Sequence, residues 1–292
     1  MNRIKGILYA AVSSSTFGLA PFFSIPLLLA GFSAFEVLSY RWGVASIVLI
    51  VFGWLSGCNF RLAGKDWGVV FLLSLLRAVT SFSLIIAYQN IASGVASTIH
   101  FMYPLAVALA MMFFFREKKS LLVILAVLMS LLGAALLSLG ELEAKSGNTM
   151  VGLVAACVSV FSYAGYIVGV RTTRAVQINS TALTCYVMGL GTIFYLIGAY
   201  CTSGLQLVSD GYTWLIILGL ALPATAISNI TLVQAIKYAG PTLTSILGAM
   251  EPLTAVVIGV FVFKELFTVN SAVGIILILL AVSIVVFRRQ KS

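Results

Sequence analysis

Charge is what this sequence has least of. Only 9% of its 292 residues are Asp, Glu, Lys or Arg, while 61% are hydrophobic. A soluble domain carries roughly 25% charged residues. Too few are present here to cover a water-facing surface, which excludes a soluble enzyme or a nucleic-acid binder. Histidine occurs once, as His100, so a multi-histidine metal site is excluded. The four cysteines, Cys58, Cys157, Cys185 and Cys201, lack metal or redox spacing and are expected as small packing residues. The chain contains no Walker motif, no H-E-x-x-H and no G-x-S-x-G. A self-contained ATP-driven pump and the corresponding intramembrane hydrolases are therefore removed. An aspartyl dyad needs two deep carboxylates, and only Glu251 is so placed. No catalytic residue, cofactor or metal is expected.

What fills the chain instead is apolar runs too long for strands. A spanning helix takes about 20 apolar residues. Ten spans are expected, at 6–30, 36–56, 67–89, 93–115, 120–140, 149–170, 180–202, 212–236, 241–263 and 269–287. The first run follows Arg3 and Lys5 as a signal peptide would. At about 25 residues it exceeds the 7–15-residue core of a signal, and it contains Pro21 and Pro26, so it is read as a span. Charge sorts the loops. With the N-terminus inside, Arg3, Lys5, Arg61, Lys65, Arg116, Lys118, Lys119, Arg171, Arg174, Lys237, Arg288, Arg289 and Lys291 all face one side, and only Lys145 and Lys264 the other. That asymmetry predicts a multi-pass membrane protein with both termini inside.

The halves repeat. An offset of 148 aligns Ser97 with Ser245, Pro104 with Pro252, and Arg116-Glu117 with Lys264-Glu265. An offset of 146 aligns Gly6 with Gly152, Ala10 with Ala156, Ser13 with Ser159, and Phe17 with Tyr163. The expected units are residues 1–143 and 144–292. Five spans per half is an odd number, so the second half enters the membrane from the opposite face. The fold class is an all-α membrane protein built as an inverted 5+5 repeat, an architecture common among secondary transporters.

The carriers of a family resemblance are Glu36 to Arg41 opening the second span, Tyr103-Pro104 with Arg116-Glu117, and Glu251-Pro252 with Lys264-Glu265. In these the chain resembles the EamA-type transporters of the drug/metabolite transporter superfamily over nearly its whole length. The resemblance implies a bacterial inner membrane and small metabolites, amino acids or drugs as cargo. It also implies a cavity among helices one, three, four, six, eight and nine. Where that family often has Trp before the glycine of helix one, this chain has Phe17-Gly18.

Polarity leads to the same helices without the family. Span five carries only serines as polar side chains, and span ten only serines beyond Asn270 at its start; both belong at the lipid-facing periphery. Polar groups on the others are costly against lipid and face a bundle interior. The candidate substrate-binding residues are Phe17, Arg77, Ser81, His100, Tyr103, Tyr163, Asn229 and Glu251. Arg77, near mid-membrane, is either an anchor for a substrate carboxylate or a structural partner of Glu251 or of helix-end carbonyls. Glu251 either binds an amine or proton or hydrogen-bonds across helices. His100 is a relay, a substrate contact or a satisfied core residue. Arg41, Arg116 and Lys264 are expected to snorkel from span ends, and Glu117 and Glu265 to pair with neighbouring bases. Pro104, Pro223 and Pro252 are candidate hinges or kinks.

The expected function is a secondary transporter, an exporter rather than an importer, of a small amphipathic metabolite such as an amino acid or related carboxylate. A proton-coupled drug exporter or a non-transporting receptor or structural protein is the alternative. The expected partners are a small-molecule substrate and the lipid bilayer, with no nucleic acid. A homodimer is allowed by the Gly165–Gly169 pair.

Overall fold

A computed structural model describes residues 2–91, 93–117, 120–138, 147–202, 204–261 and 268–287. The expectations for Lys118, Lys119, Lys145, Lys264, Glu265, Arg288, Arg289 and Lys291, and for the division between halves at 143/144, lie outside the described residues. Among the described residues every regular element is a helix. Helices occupy all ten expected places, four of them in pieces.

The first span is α1 (Asn2–Phe17) and α2 (Ala20–Leu29), and the second is α3 (Ala34–Leu55). The third is α4 (Trp67–Asn90); the fourth is α5 (Ser93–His100) and α6 (Tyr103–Phe114); the fifth is α7 (Leu121–Ser138). Span six is α8 (Thr149–Thr172) and span seven α9 (Ser180–Thr202). Span eight runs α10 (Gly211–Ala221), a π-helical turn at Leu222–Ile227, then α11 (Ser228–Ala239). Span nine is α12 (Pro241–Leu247) and α13 (Met250–Phe261), and span ten is α14 (Val269–Phe287).

The interruptions follow the prolines. Pro21 and Pro104 lie in the first turns of α2 and α6, where a residue without an N–H costs nothing. Pro252 is the third residue of α13. The breaks at Phe101-Met102 and Gly248-Ala249 match one another within one residue at the offset of 148, so the repeat read in the sequence is also a repeat of helix breaks. Pro223 acts differently. Lacking an N–H, it cannot bond the carbonyl four residues earlier, and the chain widens into the π turn rather than stopping.

Packing carries the same symmetry. The most extensive contacts join α4 to α8, α1 to α11, α7 to α14 and α3 to α9. Exchanging each span with the one five places on converts the first pair into the second and returns the other two to themselves, as an inverted repeat requires. The details agree. Gly6 leaves room for Ala239 and Gly152 for Ile91, where an added Cβ would meet its neighbour at 2.7 and 2.6 Å. Ser13 and Ser228 each donate to the other's backbone carbonyl at 2.8 and 3.1 Å. In the mirrored pair, Thr80 donates to Ser162 Oγ at 2.9 Å. Gly169 packs closely on Leu73 of span three, and Gly165 faces Leu76 of the same span.

Large apolar side chains, among them Trp54, Phe114, Leu121, Phe161 and Tyr200, cover the outside, a surface suited to lipid. Cys157 and Cys201 are on that exposed surface rather than packed within, and only Cys185 is buried. At one end of the bundle, Arg61 and Arg174 line a shared polar pocket with Ile178. Lys237 donates to the Ile178 carbonyl and Arg171 to that of Lys237 at 3.0 Å. Bases from three loops expected on one side thus meet.

Candidate functional site

The interior is organised around two arginines. Arg77, in the middle of α4, is 1% exposed and Arg41, two turns into α3, is 4% exposed. Arg41 therefore corrects the sequence expectation: it does not snorkel. Its Nε donates to Thr225 Oγ1 at 2.6 Å and its Nη2 to the Ala224 carbonyl at 3.3 Å. Both acceptors belong to the π turn of span eight. Thr225 is free to accept because its own hydroxyl proton goes to the Leu220 carbonyl at 2.8 Å. The turn thus supplies polar atoms at a depth where an ordinary helix would show none.

Arg77 Nε donates to Asn229 Oδ1 at 3.0 Å and its Nη1 to Ser81 Oγ at 3.4 Å. The Asn229 amide is held by donating to the Thr225 carbonyl at 2.8 Å. Ser81 and Asn229 are repeat counterparts at the offset of 148, as are Arg77 and Thr225. Arg77 is thus coordinated by the same site taken from both halves. Among the described residues no ion pair joins either arginine to a carboxylate, so the expected alternative of an Arg77–Glu251 pair does not form. Glu251 is partly exposed and within electrostatic reach of both cations.

Aromatic rings close around the cations. The Phe17 ring lies 5.3 Å from the Arg77 guanidinium carbon and 5.5 Å from that of Arg41. Tyr163 and Tyr166 approach Arg77 at 4.9 and 5.9 Å, and such contacts partly replace water around a cation. His100 stacks on Tyr163 with centroids 5.4 Å apart, and Tyr103 meets Tyr163 edge-on at 4.6 Å. Ser159 fixes the histidine tautomer. Its hydroxyl donates to the Ala156 carbonyl at 2.6 Å, so at 2.9 Å it accepts from Nδ1–H of His100. That leaves Nε2 as a bare, buried acceptor without a protein partner.

Phe17, Ala20, Ser24, Arg41, Arg77, Thr80, Ser81, Leu84, Ile85 and Tyr88 line a cavity of about 10 Å³. That is room for about one water, which needs about 10–15 Å³, so this is a closed state. Of the expected site residues, Phe17, Arg77 and Ser81 line the cavity. Asn229 and Tyr163 touch it through Arg77, and Tyr103 and His100 through Tyr163. Arg41 and the whole contribution of span two were missed. Glu117 accepts from Thr242 of span nine at 2.6 Å; its neighbouring bases Lys118 and Lys119 lie outside the described residues.

Comparison with known proteins gives a consistent picture. The EamA-like transporter family matches the chain twice, over residues 4–139 and 150–287. An uncharacterized transporter of Archaeoglobus fulgidus is 28% identical over 238 residues, covering 80% of this chain and 83% of that one. A protein of known crystal structure superposes with a TM-score of 0.80 over 97% of this chain and 96% of its own. At 17% identity it speaks to the fold alone.

Proposed function

The chain belongs to the EamA-like transporter family, and from that premise we propose that this membrane transporter moves a small amphipathic carboxylate, an amino acid or a close relative. The observation that carries the reading is Arg77: a buried cation, ion-paired to no carboxylate among the described residues, lining a cavity beside aromatic rings. A permanent charge held this way is expensive without a counter-charge, and a substrate carboxylate supplies one. Phe17 and Tyr163 offer apolar surface to the rest of the molecule. The Nε2 lone pair of His100 is an acceptor for a substrate N–H. A cavity lined by two guanidiniums argues against cationic drugs as cargo.

Transport proceeds by alternating access, with the halves rocking about the cavity and the breaks at Pro104, Pro223 and Pro252 giving span four, span eight and span nine places to bend. The side bearing Arg61, Arg171, Arg174 and Lys237 is the cytoplasmic side of a cell membrane, and net movement is outward. The test is flux of labelled amino acids in proteoliposomes. Wild-type protein is expected to move at least one of them, and Arg77→Ala, folded to the same yield, to lose at least about ten-fold of that rate. Equal rates would remove Arg77 from the site.

A further inference from the structure

The proposed function uses one cation, and the cavity holds two. Both guanidiniums lie within 5.5 Å of the centroid of the same ring, Phe17, and both line the same cavity. Each spends its Nε on span eight, Arg41 on Thr225 and Arg77 on Asn229. Each keeps one terminal nitrogen, Nη1 of Arg41 and Nη2 of Arg77, without a hydrogen bond among the described residues. The spare donors therefore belong to two separate forks carried by two different spans. At the offset of 148, Arg41 corresponds to Gly189 and Arg77 to Thr225, so the matching spans of the second half carry neither charge. Glu251 makes no hydrogen bond or ion pair with either arginine and leaves both forks open.

We propose that Arg41 and Arg77 form a paired anion site, and that the substrate is an acid carrying two carboxylates, the acidic amino acids included. One carboxylate answers one guanidinium fork and leaves the terminal nitrogen of the other without an acceptor. A second carboxylate a few bonds away satisfies both, and two planar forks suit two planar carboxylates. This inference rests on the carboxylate reading above and narrows it.

The test compares matched pairs that differ by one charge and almost nothing in shape: succinate with succinamate, glutarate with glutaramate, and L-glutamate with L-glutamine. Binding to the purified full chain in nanodiscs is measured by calorimetry. At least one diacid is expected to bind about ten-fold or more tightly than its half-amide. Arg41→Gln is expected to bring the ratio of diacid to half-amide affinity to within about two-fold of one, because Arg77 still holds one carboxylate of either ligand. A purely structural Arg41 would weaken both members of a pair alike and keep their ratio, which overturns the proposal. Should Arg41→Gln fail to fold, Arg41→Lys keeps the charge but not the fork. A reduced preference in that variant supports the paired site, and an unchanged one overturns it. Half-amides binding as well as the diacids, with Arg77→Ala still inactive, sink the paired site and leave carboxylate transport standing. Binding by no acid of any pair, together with no amino-acid flux, removes both.

Discussion

Asn229 separates what Arg77 needs from the protein and what it offers a substrate. Its Oδ1 accepts from Arg77 Nε, and hydrogen bonds to charged groups contribute roughly 1.5–3 kcal/mol. Asn229→Asp keeps the acceptor and adds a counter-charge beside Arg77, against the loss of the amide's donation to the Thr225 carbonyl. The variant is expected to melt no lower than wild type in detergent and to lose at least about ten-fold in carboxylate affinity, since its guanidinium is already neutralised. Unaltered affinity would show that Arg77 is structural. Arg77 was legible in the sequence because a cation ten residues into a span has no route to either membrane surface. Arg41 was not. Its depth along the chain resembles that of a snorkelling residue, and burial was decided by Ala224 and Thr225, 183 and 184 residues away.

Helix breaks are where the sequence spoke most clearly and also where it stopped. Pro104, Pro223 and Pro252 were all candidate hinges or kinks, and the shared offset paired Pro104 with Pro252. Whether a proline kinks a helix, ends it or widens it into a π turn depends on what fills the space beside it, here the Arg41 side chain. Gly18 marks the break in span one for a different reason. A Cβ there would come within 2.6 Å of the Glu251 carbonyl and 3.0 Å of the Thr254 side chain, so the turn of span one lies directly on span nine. Gly18→Ala is expected to cost about 1–3 kcal/mol by overpacking against rigid backbone, seen as a lowered melting temperature. Gly64→Ala, at a position with nothing within 4 Å, serves as the matched control. Equal melting of the two variants would mean that the contact of span one with span nine is loose.

Across the whole molecule, the two halves share helices, breaks and polar clasps but divide the chemistry between them. The cations come from spans two and three of the first half, and their ligands Ala224, Thr225 and Asn229 from span eight of the second, with Ser81 of span three added for Arg77. Any rocking between halves would pass through the arginine contacts with span eight, beside the terminal nitrogens left to a bound acid. This makes accessibility the decisive measurement. Ser81, beside Arg77 in a cavity that admits about one water, is shielded in the closed state. In a background with Cys58, Cys157, Cys185 and Cys201 replaced by alanine, Ser81→Cys is expected to react slowly with a membrane-impermeant thiosulfonate added to either side of oriented vesicles. Substrate that drives turnover should change both rates, raising exposure on one face as it falls on the other, which is what two states exchanging around one site require. Labelling from a single side under every condition would leave a one-sided binding pocket and no alternating access.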